Sequence, residues 1–330
     1  MLSFVLCCKR DEARQQDTMF LQCLTHTPKM ESQHADIMTK LKKNWMDRVF
    51  VSLLLLTTWS SVWGQPVGQP VDSDSEKSSS ADIQIDYNVV YGQPDEPMHR
   101  ADILKPSTLK DGEKLPALLL IHGGAWTLGD KRNDARHAKR LASLGFVVMS
   151  INYRLAPKHP FPAQIDDCRL ALKWLHEHAD ELQVESSLIG SWGYSAGGHL
   201  AALLATDPCP DVPRLKACVA GGAPCDLTSI PLDSNLLKPV FGGPRRTFPK
   251  KYADASPITH VSPDDPPIFL FHGSKDWLVP SQSSISMKEA LQREGVDFEY
   301  LVVPDKAHLM TFIDREATEK SYQFLIERMR

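Results

Sequence analysis

The sequence predicts an α/β fold over residues 83–330, with a mostly parallel central sheet, helices on both faces and a small cap. Three observations predict it. Continuous apolar runs recur along this stretch, as strands buried on both faces require. Between them lie helix-length stretches, some closed by glycine. The longest interruption, Cys225 to Val261, carries several prolines and charges but no long amphipathic helix, which is the make-up of a modest cap.

In chain order, "IQIDYNVVYG" and "RADILKP" read as an antiparallel pair at the leading edge of the sheet. "PALLLIH" (116–122), bounded by a charged loop and two glycines, is the first buried strand. "DARHAKRLASLG" follows as a helix closed by Gly145, and "FVVMSINYR" (146–154) as the next strand. "AQIDDCRLALKWLHEHA" sets Ile165, Cys168, Leu172, Leu175 and Ala179 at helical spacing. "SLIGSWGY" is a strand and "AGGHLAALLA" its helix. "KACVAGG" and "PPIFLFHG" are further strands, and "SISMKEALQREG" is a helix ending at Gly295. "DFEYLVVP" is the last strand and "TFIDREATEKSYQFLIERM" the last helix.

Composition excludes several function classes. The 330 residues are 42% hydrophobic and 24% charged, with a net charge of −4 and no basic stripe to suit nucleic acid. No P-loop, GxGxxG, CxxC pair or HExxH helix occurs, so no cofactor and no catalytic metal is expected.

The first 64 residues differ from the rest. "VFVSLLLLTTWSSV" (Val49 to Val62) is apolar but shorter than the roughly 20 residues a membrane-spanning helix needs. Lys40, Lys42, Lys43 and Arg48 precede it, and Val62 and Gly64 stand at −3 and −1 of a cleavage site. We therefore expect a signal peptide at 38–64, translation from Met38 or Met46, and an over-long N-terminal extension at 1–37. Residues 65–82, "QPVGQPVDSDSEKSSSAD", read as a disordered linker. The expected location is secreted or periplasmic, without stable membrane insertion. Cys7, Cys8 and Cys23 fall in the leader; Cys168, Cys209, Cys218 and Cys225 are expected as buried free thiols with at most one bridge.

Within "WGYSAGGHLAALLA", Gly193, Ser195 and Gly197 form a G-x-S-x-G motif between a buried strand and a small-residue helix. Such a turn lifts one hydroxyl at the carboxyl end of a strand, and the free N–H groups of the helix start face a developing anion. A serine nucleophile needs a base, and the base an orienting acid. Of His122, His199, His260, His272 and His308, only His308, in the loop before the last helix, comes late enough for the order Ser, acid, His. Asp276, in the loop after the penultimate strand, supplies the acid; Asp226, Asp264, Asp265 and Asp305 are alternatives that suit solvated or capping roles better. "HGGAW" ends another strand, so the N–H groups of Gly123, Gly124 and Ala196 are the expected oxyanion donors.

These pieces resemble an α/β-hydrolase, within the esterase/lipase group related to hormone-sensitive lipase and to bacterial feruloyl and acetyl esterases. The resemblance rests on "LLLIHGGAW", "INYRLAPKHPFPAQIDD", "GYSAGGHLAALLA", "DDPPIFLFHGSKDWLVP" and "VPDKAHLM", and spans about 83–330. It implies Ser195 as nucleophile, Asp276 as acid, His308 as base, and Gly123, Gly124 and Ala196 as the oxyanion hole. Two departures stand out: Ala125 replaces the usual third glycine, and Tyr194 replaces the aspartate common before the serine.

The expected activity is hydrolysis of a small-molecule or carbohydrate ester through an acyl-enzyme. The fold also hosts amide hydrolases, and inactive relatives serve as binding modules. Trp126, Tyr194 and Trp277 flank the catalytic loops and are expected to narrow the pocket, favouring acetyl to butyryl groups.

Overall fold

Alternation along the strands, with consecutive side chains facing opposite ways, sorts the apolar residues onto two faces. In β3 (Leu115–Ile121), Leu119 and Ile121 join one hydrophobic cluster and Leu118 and Leu120 the other. The computed structural model describes residues 82–110 and 112–330. The expected extension, the signal peptide and the linker up to residue 81 lie outside the described residues.

Eight strands form one sheet in the order β1-β2-β4-β3-β5-β6-β7-β8. β1 (Ile83–Val90) pairs antiparallel with β2 (Arg100–Pro106), and β2 antiparallel with β4 (Val147–Ile151). From β4 onward every pairing is parallel, through β3, β5 (Val184–Tyr194), β6 (Cys218–Gly221), β7 (Ile268–Gly273) and β8 (Phe298–Val303). The leading-edge hairpin and the parallel body both match the sequence reading.

Helices cover both faces. α1 (Ala135–Ser143) and the C-terminal α8 (Arg315–Arg328) pack Leu141, Phe324 and Leu325 onto one. α2 (Ala163–Glu177), α3 (Ala196–Thr206) and α6 (Gln282–Glu294) pack Ile165, Leu172, Leu200, Met287 and Leu291 onto the other. Leu119, Met149 and Leu200 are wholly buried, each worth about 1.5–3 kcal/mol of transfer free energy. The cap contains only short helices, α4 (Lys238–Phe241) and α5 (Pro249–Asp254), and a 3₁₀ turn at Pro257–Thr259.

One expected element is corrected. The stretch 311–329 does not form one helix: α7 (His308–Phe312) ends, and α8 begins after Asp314. Asp314 is extended (φ −67°, ψ 117°), and its carboxylate accepts the Ala317 N–H at 3.0 Å. That N-cap, worth about 1 kcal/mol, starts a new helix inside an unbroken apolar pattern. Among the described residues all four cysteines are free. No helix among them is long and apolar enough to cross a membrane.

Candidate active site

Parallel strands bring their carboxyl ends to one side of the sheet, so the loops after β3, β5, β7 and β8 converge there. The turn after β5 holds Ser195 at φ 57° and ψ −123°, a conformation costing about 1–3 kcal/mol in a non-glycine residue. Close approach explains its glycines. A Cβ on Gly193 would fall 2.3 Å from Gly197 O, and one on Gly197 would fall 1.9 Å from Ile121 O. The Ser195 N–H donates to Gly221 O at 2.8 Å, which fixes the turn against β6.

His308 opens α7 and is 5% exposed. Its Nδ1 lies 2.6 Å from Asp276 Oδ2, while its buried Nε2 has no hydrogen-bond partner among the described residues. With the carboxylate ionised, Nδ1 carries the proton and Nε2 is left as an acceptor. Cε1, next to Nε2, lies 3.1 Å from where a Cβ on Gly222 would sit, and Gly222 follows the residue that anchors Ser195. The open imidazole nitrogen thus belongs to the same loop cluster as the strained serine.

Asp276 is saturated with donors. Oδ1 accepts the N–H groups of Leu278 and Val279 at 3.0 and 2.9 Å. Oδ2 faces His308 and, at 3.2 Å, His272 Nε2. Burial alone would raise its pKa, but the hydrogen bonds from His272 and His308 outweigh that and hold it well below the usual carboxylate range. The alternative acids are engaged elsewhere. Asp226 caps a turn through Thr228 and Ser229, and Asp265 binds Ser262 and faces Arg214. Asp264 gives its carbonyl to Arg214, and Asp305 pairs with Lys275 at the surface.

The loop after β3 brings Gly123 beside Ser195: a Cβ there would lie 3.4 Å from Ser195 Cβ. Gly124 has φ +115°, and a Cβ on it would meet Leu128 O at 2.1 Å. Among the described residues neither Gly123 N–H nor Gly124 N–H donates to another group. Ala196, the first residue of α3, presents an orphan N–H of the helix start. His122 Nδ1 lies 2.7 Å from Gly123 O and its ring stacks on Tyr153 at 4.2 Å. Burial pushes the His122 pKa down to about 4, so the ring is neutral and holds the loop rather than titrating.

The three aromatics divide. Trp126 is 6% exposed and its Nε1 donates to His199 Nδ1 at 3.2 Å. Tyr194 is 4% exposed and its hydroxyl donates to His308 O at 2.7 Å. Both therefore brace the elements that carry Ser195 and His308 instead of lining an open pocket; the left-handed turn at Trp126 (φ 60°) leads its ring into the core. Trp277, 68% exposed, stands at the rim beside Asp276. Sequence reasoning missed His272 as a second partner of the acid and His199 as the partner of Trp126. The i, i+4 spacing of His272 and Asp276 was the available signal for the first.

Known proteins share this architecture. The BD-FAE family profile matches residues 101–291. The probable carboxylic ester hydrolase LipM of Mycobacterium tuberculosis is 35% identical over 226 residues, 63% of this chain and 52% of that protein. Esterase LipQ of the same organism is 33% identical over 236 residues, 67% and 55% of the respective chains. The chain thus spans about half the length of the curated relatives it matches. Among solved structures, a truncated carbohydrate esterase from gut microbiota superposes with a TM-score of 0.68 at 25% identity, covering 76% of this chain and 98% of that one. A bifunctional GH43-CE protein of Bacteroides eggerthii gives 0.67 at 26%, covering 74% and 38%. With more than half its length inside that profile and its sheet built to match, the chain belongs to the BD-FAE family of the α/β-hydrolase superfamily.

Proposed function

We propose that the protein is a serine carboxylic-ester hydrolase working through an acyl-enzyme. One observation carries the reading: a strained Ser195 shares its loop cluster with a buried His308 whose Nδ1 is bound to Asp276 and whose Nε2 is unpartnered among the described residues. Nε2 takes the Ser195 proton as Oγ attacks the ester carbonyl carbon. The oxyanion is held by the N–H groups of Gly123, Gly124 and Ala196, and loss of one such donor costs about 2.7–4 kcal/mol of transition-state stabilisation. His308 then protonates the leaving alcohol oxygen, and the same sequence with water as nucleophile releases the acid and restores Ser195. The names of LipM and LipQ support the ester class.

The finer substrate reading is short acyl groups, acetyl to butyryl, on a carbohydrate. A cap of short helices and an exposed Trp277 support an open, shallow site without the broad apolar lid of an oil-interface lipase. The printed description of the gut carbohydrate esterase supports the sugar. The signal-peptide reading supports action outside the cytosol.

A serine-directed fluorophosphonate should label the wild type and not Ser195→Ala, and ester turnover should vanish with the label. Equal labelling of both proteins would remove Ser195 from the mechanism. A graded series of acyl esters should give its highest kcat/KM at two to four carbons, by the small methylene increments a pocket provides (about 1–3 kcal/mol each). A maximum at long chains would overturn the substrate reading alone.

A further inference from the structure

The oxyanion donors come from two elements, the loop after β3 and the first turn of α3, so their spacing depends on what ties the two together. One tie is backbone contact, where Gly197 lies against Ile121 O. The other is a side-chain strut. His199 lies one turn along α3 from the nucleophile, its backbone N–H donating to Ser195 O at 2.9 Å. Its Nδ1 accepts from Trp126 Nε1 at 3.2 Å, and the two rings meet edge to face at 5.0 Å. Its Nε2 donates to Ala255 O at 2.6 Å, where α5 of the cap ends.

Trp126 closes a left-handed run: Gly124, Ala125 and Trp126 have φ of 115°, 51° and 60°. For the two non-glycine residues this costs about 1–2 kcal/mol each. Such backbone persists only where its surroundings over-determine it. The indole, buried and bonded to His199, supplies that constraint. Its own carbonyl also accepts the Ala156 N–H at 2.9 Å.

We propose that His199 is a positioning residue for the oxyanion hole: through Trp126 it holds the Gly123 and Gly124 N–H groups at a fixed distance from that of Ala196. The inference rests on the ester-hydrolase reading above. Both imidazole nitrogens are engaged, one accepting and one donating, so the ring is neutral and plays no part in proton transfer.

The test uses Trp126→Phe, which keeps a ring but loses the N–H, His199→Leu, which loses both bonds, and His199→Gln, which keeps a donor and an acceptor. The measurements are kcat and KM on a short-chain ester, inhibition by a boronic acid that forms a tetrahedral adduct on Ser195, and the thermal midpoint. Trp126→Phe and His199→Leu should lower kcat roughly 10- to 100-fold, the scale of a small misplacement of catalytic groups. KM should stay within about twofold, since the hole acts on the transition state. Boronate affinity should fall with kcat, His199→Gln should recover part of both, and the Trp126→Phe/His199→Leu double variant should be no slower than the slower single. Should His199→Leu fail to fold, Trp126→Phe decides alone. Full kcat and boronate affinity in a folded Trp126→Phe, with Ser195→Ala inactive, would overturn the strut and leave the hydrolase reading standing. Ester turnover surviving in Ser195→Ala would bring down the parent reading, and this one with it.

Discussion

His272 Nε2 lies 3.2 Å from Asp276 Oδ2, the same carboxylate oxygen that holds His308 at 2.6 Å. Its Nε2 hydrogen is shared with Val279 O at 2.9 Å, and its Nδ1 takes the Ser284 hydroxyl at 2.7 Å. Asp276 is thus held by a second imidazole, that of His272 at the end of β7.

Loss of that donor should weaken the grip on the ionised carboxylate and let Asp276 titrate at higher pH. His272→Leu is expected to lower kcat/KM by about tenfold or more, with His272→Gln nearer the wild type. Asp276→Asn sets the scale, with a loss of about 10⁴ in kcat through the wrong tautomer. A kcat/KM for His272→Leu equal to that of the wild type would reduce His272 to packing.

Stability against pH should follow four buried groups. Burial pushes the pKa values of His122, His137 and His199 each down to about 4, so the fold loses stability as pH falls from about 6.5 through 4 and the unfolded chain takes up protons. Asp134 is the opposite case: burial raises it to about 7, and among the described residues Oδ2 has no partner. Its folded form holds a proton that the unfolded chain releases above about 4, so this group costs stability as pH rises towards 7. Three histidines outweigh one carboxyl, and the net trend is loss on acidification. Asp134→Asn should raise the thermal midpoint at pH 8 by an amount worth roughly 2–4 kcal/mol, have little effect at pH 4, and steepen the acid loss. A midpoint shift independent of pH would show that Asp134 is not carrying the titration.

Left-handed backbone at Ala125 and close packing at Gly197 predict opposite outcomes for two small substitutions. Ala125→Gly relieves a left-handed alanine (φ 51°) while loosening the unfolded chain, so stability should change by less than about 1 kcal/mol with kcat retained. Gly197→Ala places a methyl 1.9 Å from Ile121 O, which cannot be absorbed without moving α3 off the sheet. Its thermal midpoint and activity should both collapse; a folded, active Gly197→Ala would refute the close packing.

Much of this was legible in the chain. Strands buried on both faces read as continuous apolar runs, and motifs at strand ends bring Ser195, Asp276 and His308 to loops on one side in a fixed order. The legible part is local. His272 reads as a strand-end histidine that comes too early to be the base, and its hold on Asp276 escapes notice because its ring is set by Ser284, twelve residues on in α6. Trp126 reads as a pocket wall because the left-handed turns at Ala125 and Trp126 carry no glycine to announce them. The break at Asp314 hides inside an apolar period that continues through it, and only the cap hydrogen bond separates α7 from α8.

Every residue of α3, from Ala196 to Thr206, is buried. The wall behind Ser195 therefore has little room for larger side chains, since any added atom must displace the sheet or the cap. Diversification is left to the solvent side: the cap with exposed Leu232 and Leu236, and the rim at Leu128 and Trp277. A lineage built on this plan can change what it accepts by remodelling loops, while the rate-determining geometry is inherited nearly unaltered. Libraries aimed at new specificity belong on those loops, and substitutions that enlarge a side chain in α3 should return mainly unfolded protein.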